Sequence, residues 1–196
     1  MLKSTGFLLE SDPKLPSVAT LIAGAPMSGS WWSHPRAQEI FQVNEKLDAH
    51  KDVLITKLIS RKVTFVHRRL WPELMTIGDS REPWQLKGLP QPVKSLLKQV
   101  DSAGCVTTAK LVWPLRQDMK VGDAARELEN RLLIVGTQFH AEGGAYAKLL
   151  ETWADWAQRT KFETANVGIA EAREKLEGRL SRLNSEFSAA AKLPWQ

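Results

Sequence analysis

The chain has 196 residues, of which 43% are hydrophobic and 25% charged, with a formal net charge of +5 and a pI near 9.4. That length fits one large domain or two small modules, and the composition excludes a wholly disordered chain. A moderate basic excess attracts phosphates only where it is concentrated, so the positions of the cations decide what it means.

The first sixteen residues read as a loose N-terminus, because the apolar run 6–9 is cut off by Glu10 and Asp12 and is too brief for a secretory signal. Residues 16–23 predict a short helix stopped by Gly24, and residues 24–30 a loop of small, turn-forming residues. Ser33 is the expected N-cap of a helix with Pro35 in its first turn and Ala37, Ile40, Phe41, Asn44 and Leu47 on one face. Two runs rich in β-branched and aromatic residues follow, 52–59 and 62–71, and predict a β-hairpin. Its second arm would carry Val63, Phe65, His67 and Arg69 on one face and Thr64, Val66, Arg68 and Leu70 on the other, with Pro72 blocking continuation.

Residues 79–92 hold Pro83, Gly88, Pro90 and Pro92 and read as a linker. Beyond it, Val93, Leu96, Leu97 and Val100 mark a helix that Gly104 stops. Residues 106–112 suit either a strand or a second helix, since β-branching and the capping residue Thr107 pull in opposite directions. Asp123 is the expected N-cap of a third helix with Ala125, Leu128 and Leu132 as its apolar stripe. Residues 133–153 then read as a second hairpin turning at Gly143 and Gly144. Ile169, Leu176, Leu180, Leu183 and Phe187 form a narrow seam along a long helix within 163–192.

The expected architecture is therefore α+β: a helix-plus-hairpin, winged-helix-like module over 1–80, a winged-helix module over 89–160 and a C-terminal helix over 161–196. The lone Cys105 excludes an internal disulfide and a metal or redox pair of cysteines. No stretch supplies the roughly 20 apolar residues of a membrane-spanning helix, so a cytoplasmic chain without a membrane partner is expected.

The basic surplus is densest from Lys57 to Arg69. Lys57, Arg61, Lys62, Arg68 and Arg69 would neutralise several phosphates if they shared a surface. Trp31, Trp32, Phe65 and Trp71 supply aromatic faces, the other ingredient for holding unpaired bases. Trp31, Trp32, His34 and His67 are candidate pocket residues, although core positions are the better account of the tryptophans. The four histidines show no metal-ligand spacing, and no phosphate-loop, dinucleotide or nucleophile-elbow motif is present, so no metal and no cofactor is expected.

The order helix, short element, helix, hairpin, carried by AARELENRLL and IVGTQFHAEGGAYAKLLETW, resembles a winged helix-turn-helix. That resemblance implies a recognition helix at 123–133 reaching a major groove through Arg126, Asn130 and Arg131, with Lys148 and His140 on the wing beside the backbone. The tripeptide Gln99-Val100-Asp101 matches, in letters, the catalytic Gln-x-Asp pattern of the bacterial winged-helix DNA glycosylases that remove alkylated bases, and the chain resembles that family. The resemblance implies Gln99 and Asp101 as catalytic candidates, with Asp101 positioning a water against a flipped nucleotide. The leading expectation is a non-enzymatic or accessory DNA-binding protein. The alternatives are a base-removing glycosylase-like enzyme and a protein-interaction scaffold, the last with homodimerisation through the C-terminal helix.

Overall fold

The computed structural model describes residues 1–27, 29–113, 119–140 and 146–196. It is 50% helix and 16% strand, and its two sheets are antiparallel, so the α+β class holds. The chain divides into two compact units: Met1–Leu74 together with Val167–Gln196, and Met75–Asn166.

The first unit starts with α1 (Leu2–Thr5) and β1 (Phe7–Leu9), which Gly6 joins at φ 90°. α2 (Val18–Ala23) is capped by the Ser17 hydroxyl, which accepts from the Thr20 N–H, and it ends at Gly24 in the left-handed conformation. Ser33 does not cap the next helix. Ser30 caps a single 3-10 turn over Trp31–Ser33, and α3 (Ala37–Asp48) begins only after Arg36. β2 (Val53–Lys57) and β3 (Val63–His67) form the expected hairpin, with Val53 opposite His67 and Lys57 opposite Val63. β1 adds to the other edge of β3, Phe7 opposite Val66, which gives the sheet order β1-β3-β2.

The stretch expected to be a loose N-terminus is thus the third strand of this sheet. Three apolar residues bury almost completely there, and β3 supplies their backbone partners. The second hairpin arm also ends earlier than its composition suggests. The His67 imidazole accepts from the Arg69 N–H and starts a 3-10 turn over Arg68–Leu70, so neither arginine lies on the ladder. Pro72 then sits in the first turn of α4 (Trp71–Asp79), where its missing N–H costs nothing.

Leu8, Val18, Ala19, Trp31, Ile40 and Phe65 form one core cluster of this unit. Its last helix, α9 (Ile169–Glu186), is shorter than its charge pattern suggested, and Leu176, Leu180 and Leu183 on its seam are buried in the monomer. Lys175 is bonded to the buried Glu73 carboxylate, and the Ser60 N–H donates to Lys192 O at 2.8 Å. The seam is thereby covered by the chain itself, with Ile169 as its exposed apolar residue.

The second unit holds α5 (Pro83–Leu86), α6 (Gln91–Ala103), β4 (Cys105–Thr107), α7 (Val121–Asn130), β5 (Val135–His140), β6 (Tyr146–Glu151) and α8 (Trp153–Thr160). The stretch expected to be a linker contains α5, because Glu82 and Gln85 form a reciprocal capping box. Gln85 is fully buried and donates to Gly78 O at 3.3 Å and Arg131 O at 3.1 Å. The ambiguous segment resolves as the strand β4, with Val106 opposite Leu150, and the sheet order is β4-β6-β5. α7 starts two residues before Asp123, which lies in its first turn. The glycine turn expected at Gly143 and Gly144, with Ala141 and Glu142, falls outside the described residues. The apolar faces of α6 and α7, joined by Leu133, Ile134 and Leu150, make the core of this unit.

Candidate nucleic-acid interface

Three of the five predicted cations of the hairpin, Lys57, Lys62 and Arg68, face carboxylates. Lys62 Nζ lies 2.7 Å from the Asp12 carboxylate. Burial acts to raise the Asp12 carboxyl, but bonds from Lys62 and from the N–H groups of Leu15 and Lys14 outweigh it and hold the group below its ordinary value. Arg68 stands 3.6 Å from Asp52 and over the Trp71 ring, 5.9 Å from its centroid. Lys57, at the end of β2, acts electrostatically on Glu10. Arg61 is exposed in the hairpin turn at φ 59°.

In the second unit the same holds. Arg126 pairs with Asp123 at 3.2 Å and Lys148 with the nearly buried Glu129 at 2.6 Å. Arg131 bonds Glu127 at 2.7 Å and also donates to the carbonyls of Gln85 at 3.1 Å and Lys87 at 2.7 Å, so it ties α7 to the segment around α5. The Asn130 Oδ1 is buried without a hydrogen-bond partner. Gln99 and Asp101 lie exposed on α6, and Arg81 holds the Asp101 carboxylate at 2.7 Å. Neither lines either of the two concavities described next.

Three of the four candidate pocket residues do come together. Trp31 and Trp32 stack with centroids 4.0 Å apart, and Trp31 is buried while Trp32 is 63% exposed. His34 follows them and lines a shallow concavity with Ser30 and Ser33; a second concavity has Lys62 on its wall, and the two share Pro26 and Met27. His67 lines neither. It stands at the opposite end of β3 from the hairpin turn, roughly 15 Å from Lys62 along the strand.

Around His67 the structure assembles a group of cations that no spacing in the sequence announces. Burial lowers the proton affinity of His67, and the charges of Arg69, Lys3 and His50 lower it further, with Asp52 alone opposing them. Burial and the charge of Arg179 likewise disfavour the Arg69 cation. Lys3 comes from α1, His50 from the turn before β2, Arg69 from the turn after β3 and Arg179 from α9. Among the described residues, no carboxylate ion pair ties Lys3, Arg69 or Arg179. The Arg69 guanidinium bonds Ser4 O at 2.5 Å, and its Nε is buried without a partner. Like charges that act on one another repel, and an anion placed among them would be bound favourably.

Sequence reasoning found His67 and Arg69 but missed Lys3, His50 and Arg179, which are spread over 176 positions of the chain. It also missed Glu10. The Glu10 carboxyl is pushed above its ordinary value by burial, against a hydrogen bond from the Trp31 side chain and the charge of Lys57. Among the described residues there is no group of three or more His, Cys, Asp or Glu side chains placed to hold a metal, and no helix is long and apolar enough to cross a membrane.

Fold and site together define an α+β protein with two small antiparallel sheets and a cation cluster built on the first of them. The chain belongs to the AlkZ-related family, whose model matches residues 1–193, and this links it to the AlkZ proteins of alkylated-base repair. Searches of curated proteins and of solved structures give no match.

Proposed function

We propose that this chain is a DNA-binding protein of the alkylation-repair type, acting as a non-enzymatic or accessory factor. The observation that carries the reading is the group of Lys3, Arg69 and Arg179 around His67, three cations that no carboxylate ion pair ties among the described residues. A phosphate backbone would supply the missing negative charge, and membership of a repair-linked family supports DNA as that polyanion. Arg61, exposed in the hairpin turn, adds a cation from the same unit.

A winged-helix module over residues 89–160 belongs to the same proposal. It is supported by the order α6, β4, α7, β5, β6 and by the pairing of β4 with β6 rather than with β5. Arg126 is its most exposed predicted base-contacting residue, because Arg131 and Lys148 are occupied within the unit. The accessory role is supported by Asp101, whose carboxylate is exposed and paired with Arg81 rather than desolvated.

The test is the salt dependence of binding to a short DNA duplex. Lys3→Ala and Arg179→Ala remove two exposed or half-exposed cations without emptying the core. The slope of log affinity against log salt should then flatten by about 0.9 per lost phosphate contact, or about 1.8 for the double variant. No binding at low salt, or an unchanged slope in the double variant, refutes the proposal.

A further inference from the structure

The exposed Trp32 is held in a manner that a loose surface aromatic is not. Its ring stacks on Trp31 at 4.0 Å with 24° between planes, and Phe41 of α3 approaches it at 5.7 Å. Trp31 is itself fixed: it is buried in the core cluster with Leu8, Ile40 and Phe65, and its side chain bonds the Glu10 carboxylate. The Ser30 hydroxyl accepts from the Trp32 N–H at 3.4 Å, and the Ser33 hydroxyl donates to Ser30 O at 2.9 Å, so the turn that presents the ring is braced. Even so, 63% of Trp32 remains in solvent. Leaving a large indole exposed forgoes about 2 kcal/mol of burial, so a rigid, uncovered one suits a planar ligand.

The turn that presents the ring also carries Ser30, Ser33 and His34, which line a concavity that Trp32 itself does not line. The His34 Nδ1 accepts from the Arg36 N–H at 3.1 Å, which leaves its Nε2 as the ring's other hydrogen-bonding atom. An aliphatic side chain of a protein partner has no use for two hydroxyls and an imidazole next to an indole. A nucleobase presents both a π-face and a hydrogen-bonding edge.

We infer that Trp32, braced by Trp31 and flanked by Ser30, Ser33 and His34, is a stacking platform for an unpaired nucleobase, which makes the preferred ligand DNA with unstacked bases. This deepens the DNA-binding reading and rests on it, but its observations are independent of the cation cluster.

The test compares two single strands of about 12 nucleotides that carry the same phosphates, an oligothymidylate and its abasic counterpart, with binding to the full chain read by anisotropy of a label. The wild type should bind the oligothymidylate about tenfold more tightly than the abasic strand, a difference of about 1.4 kcal/mol. Trp32→Ala should abolish that ratio and Trp32→Phe should keep most of it, while Lys3→Ala with Arg179→Ala should weaken both strands and leave the ratio intact. Because Trp32 is mostly exposed, its replacement leaves the core filled, and an unchanged melting profile verifies this. A ratio near one in the wild type, or a ratio surviving in Trp32→Ala, overturns the inference and leaves duplex binding standing. A halving of the measured mass on Trp32→Ala overturns it in favour of a second copy of the chain covering the ring. Failure to bind either strand or the duplex at low salt removes both readings.

Discussion

Gly78 in α4 provides a sharp test of how the second unit is packed. A Cβ at this position would come 2.1 Å from Trp153 Nε1 and 2.3 Å from its Cε2. Two effects oppose each other in Gly78→Ala. Alanine gains about 1 kcal/mol over glycine in a helix interior. Against this, inserting a methyl into a packed site costs about 1–3 kcal/mol. Trp153 cannot easily retreat, being 1% exposed with its Nε1 donating to Leu132 O at 2.7 Å. Displacing the indole leaves that donor unsatisfied at a further cost of about 1–3 kcal/mol. The net result is a loss of about 3 kcal/mol, equivalent to roughly 6–12 °C in the midpoint of a chain this size. Thermal and urea melts followed by circular dichroism measure it. Gly178→Ala in α9 is the internal control, since nothing lies within 4 Å of a Cβ there and only the helical gain should appear. A Gly78→Ala variant as stable as the wild type would refute the packing argument.

Glu10 gives a pH-dependent test. Its folded carboxyl is raised above the unfolded value, so folding favours the protonated form; its contribution to stability is present below about pH 4.5 and lost as pH rises through the folded value. Glu10→Gln, which retains an acceptor for Trp31, should therefore raise stability at pH 7 relative to the wild type, with the gain disappearing below pH 4.5; equal stability at pH 7 contradicts the burial of this charge. Lys148→Met should cost about 1–3 kcal/mol by leaving the Glu129 carboxylate, 7% exposed, without its cation. Adding Glu129→Leu should recover most of that loss in a urea titration, and a double variant as unstable as the single one contradicts the pairing.

Where the fold was readable in the sequence, a strong period was the reason. Val93, Leu96, Leu97 and Val100 point one way on α6 and are buried as their spacing demands, and the β-branched runs on either side of residues 60–62 pair in register. Local signals failed where tertiary partners decide. Phe7–Leu9 is too short to show alternation, and it is a strand because β3 has a free edge to pair with it. Pro72 is a helix breaker in the middle of a helix and a helix former in its first turn, and only the His67 cap and the turn after it reveal which applies. Thr152, read as part of a strand, accepts from the Asp155 N–H and starts α8. Of the site, the aromatic turn at Trp31 and Trp32 was visible because the residues are adjacent. The cation cluster was not, because Lys3, His50, His67, Arg69 and Arg179 meet only after four elements have folded together.

The composition of the first unit bears on how the protein is made. Its leading 74 residues share a unit with residues 167–196, while the second unit is continuous in sequence. On a ribosome adding about 5–20 residues per second, the 92 residues of the second unit are synthesised over roughly 5–20 s before α9 exists. During that interval the sites that α9 later occupies are open, and Glu73 waits without Lys175. The contiguous unit is therefore complete in sequence first, and the discontinuous one only once residues 167–196 have been made. A released chain truncated before residue 167 should accordingly protect the later unit from proteolysis while leaving β1 to β3 susceptible.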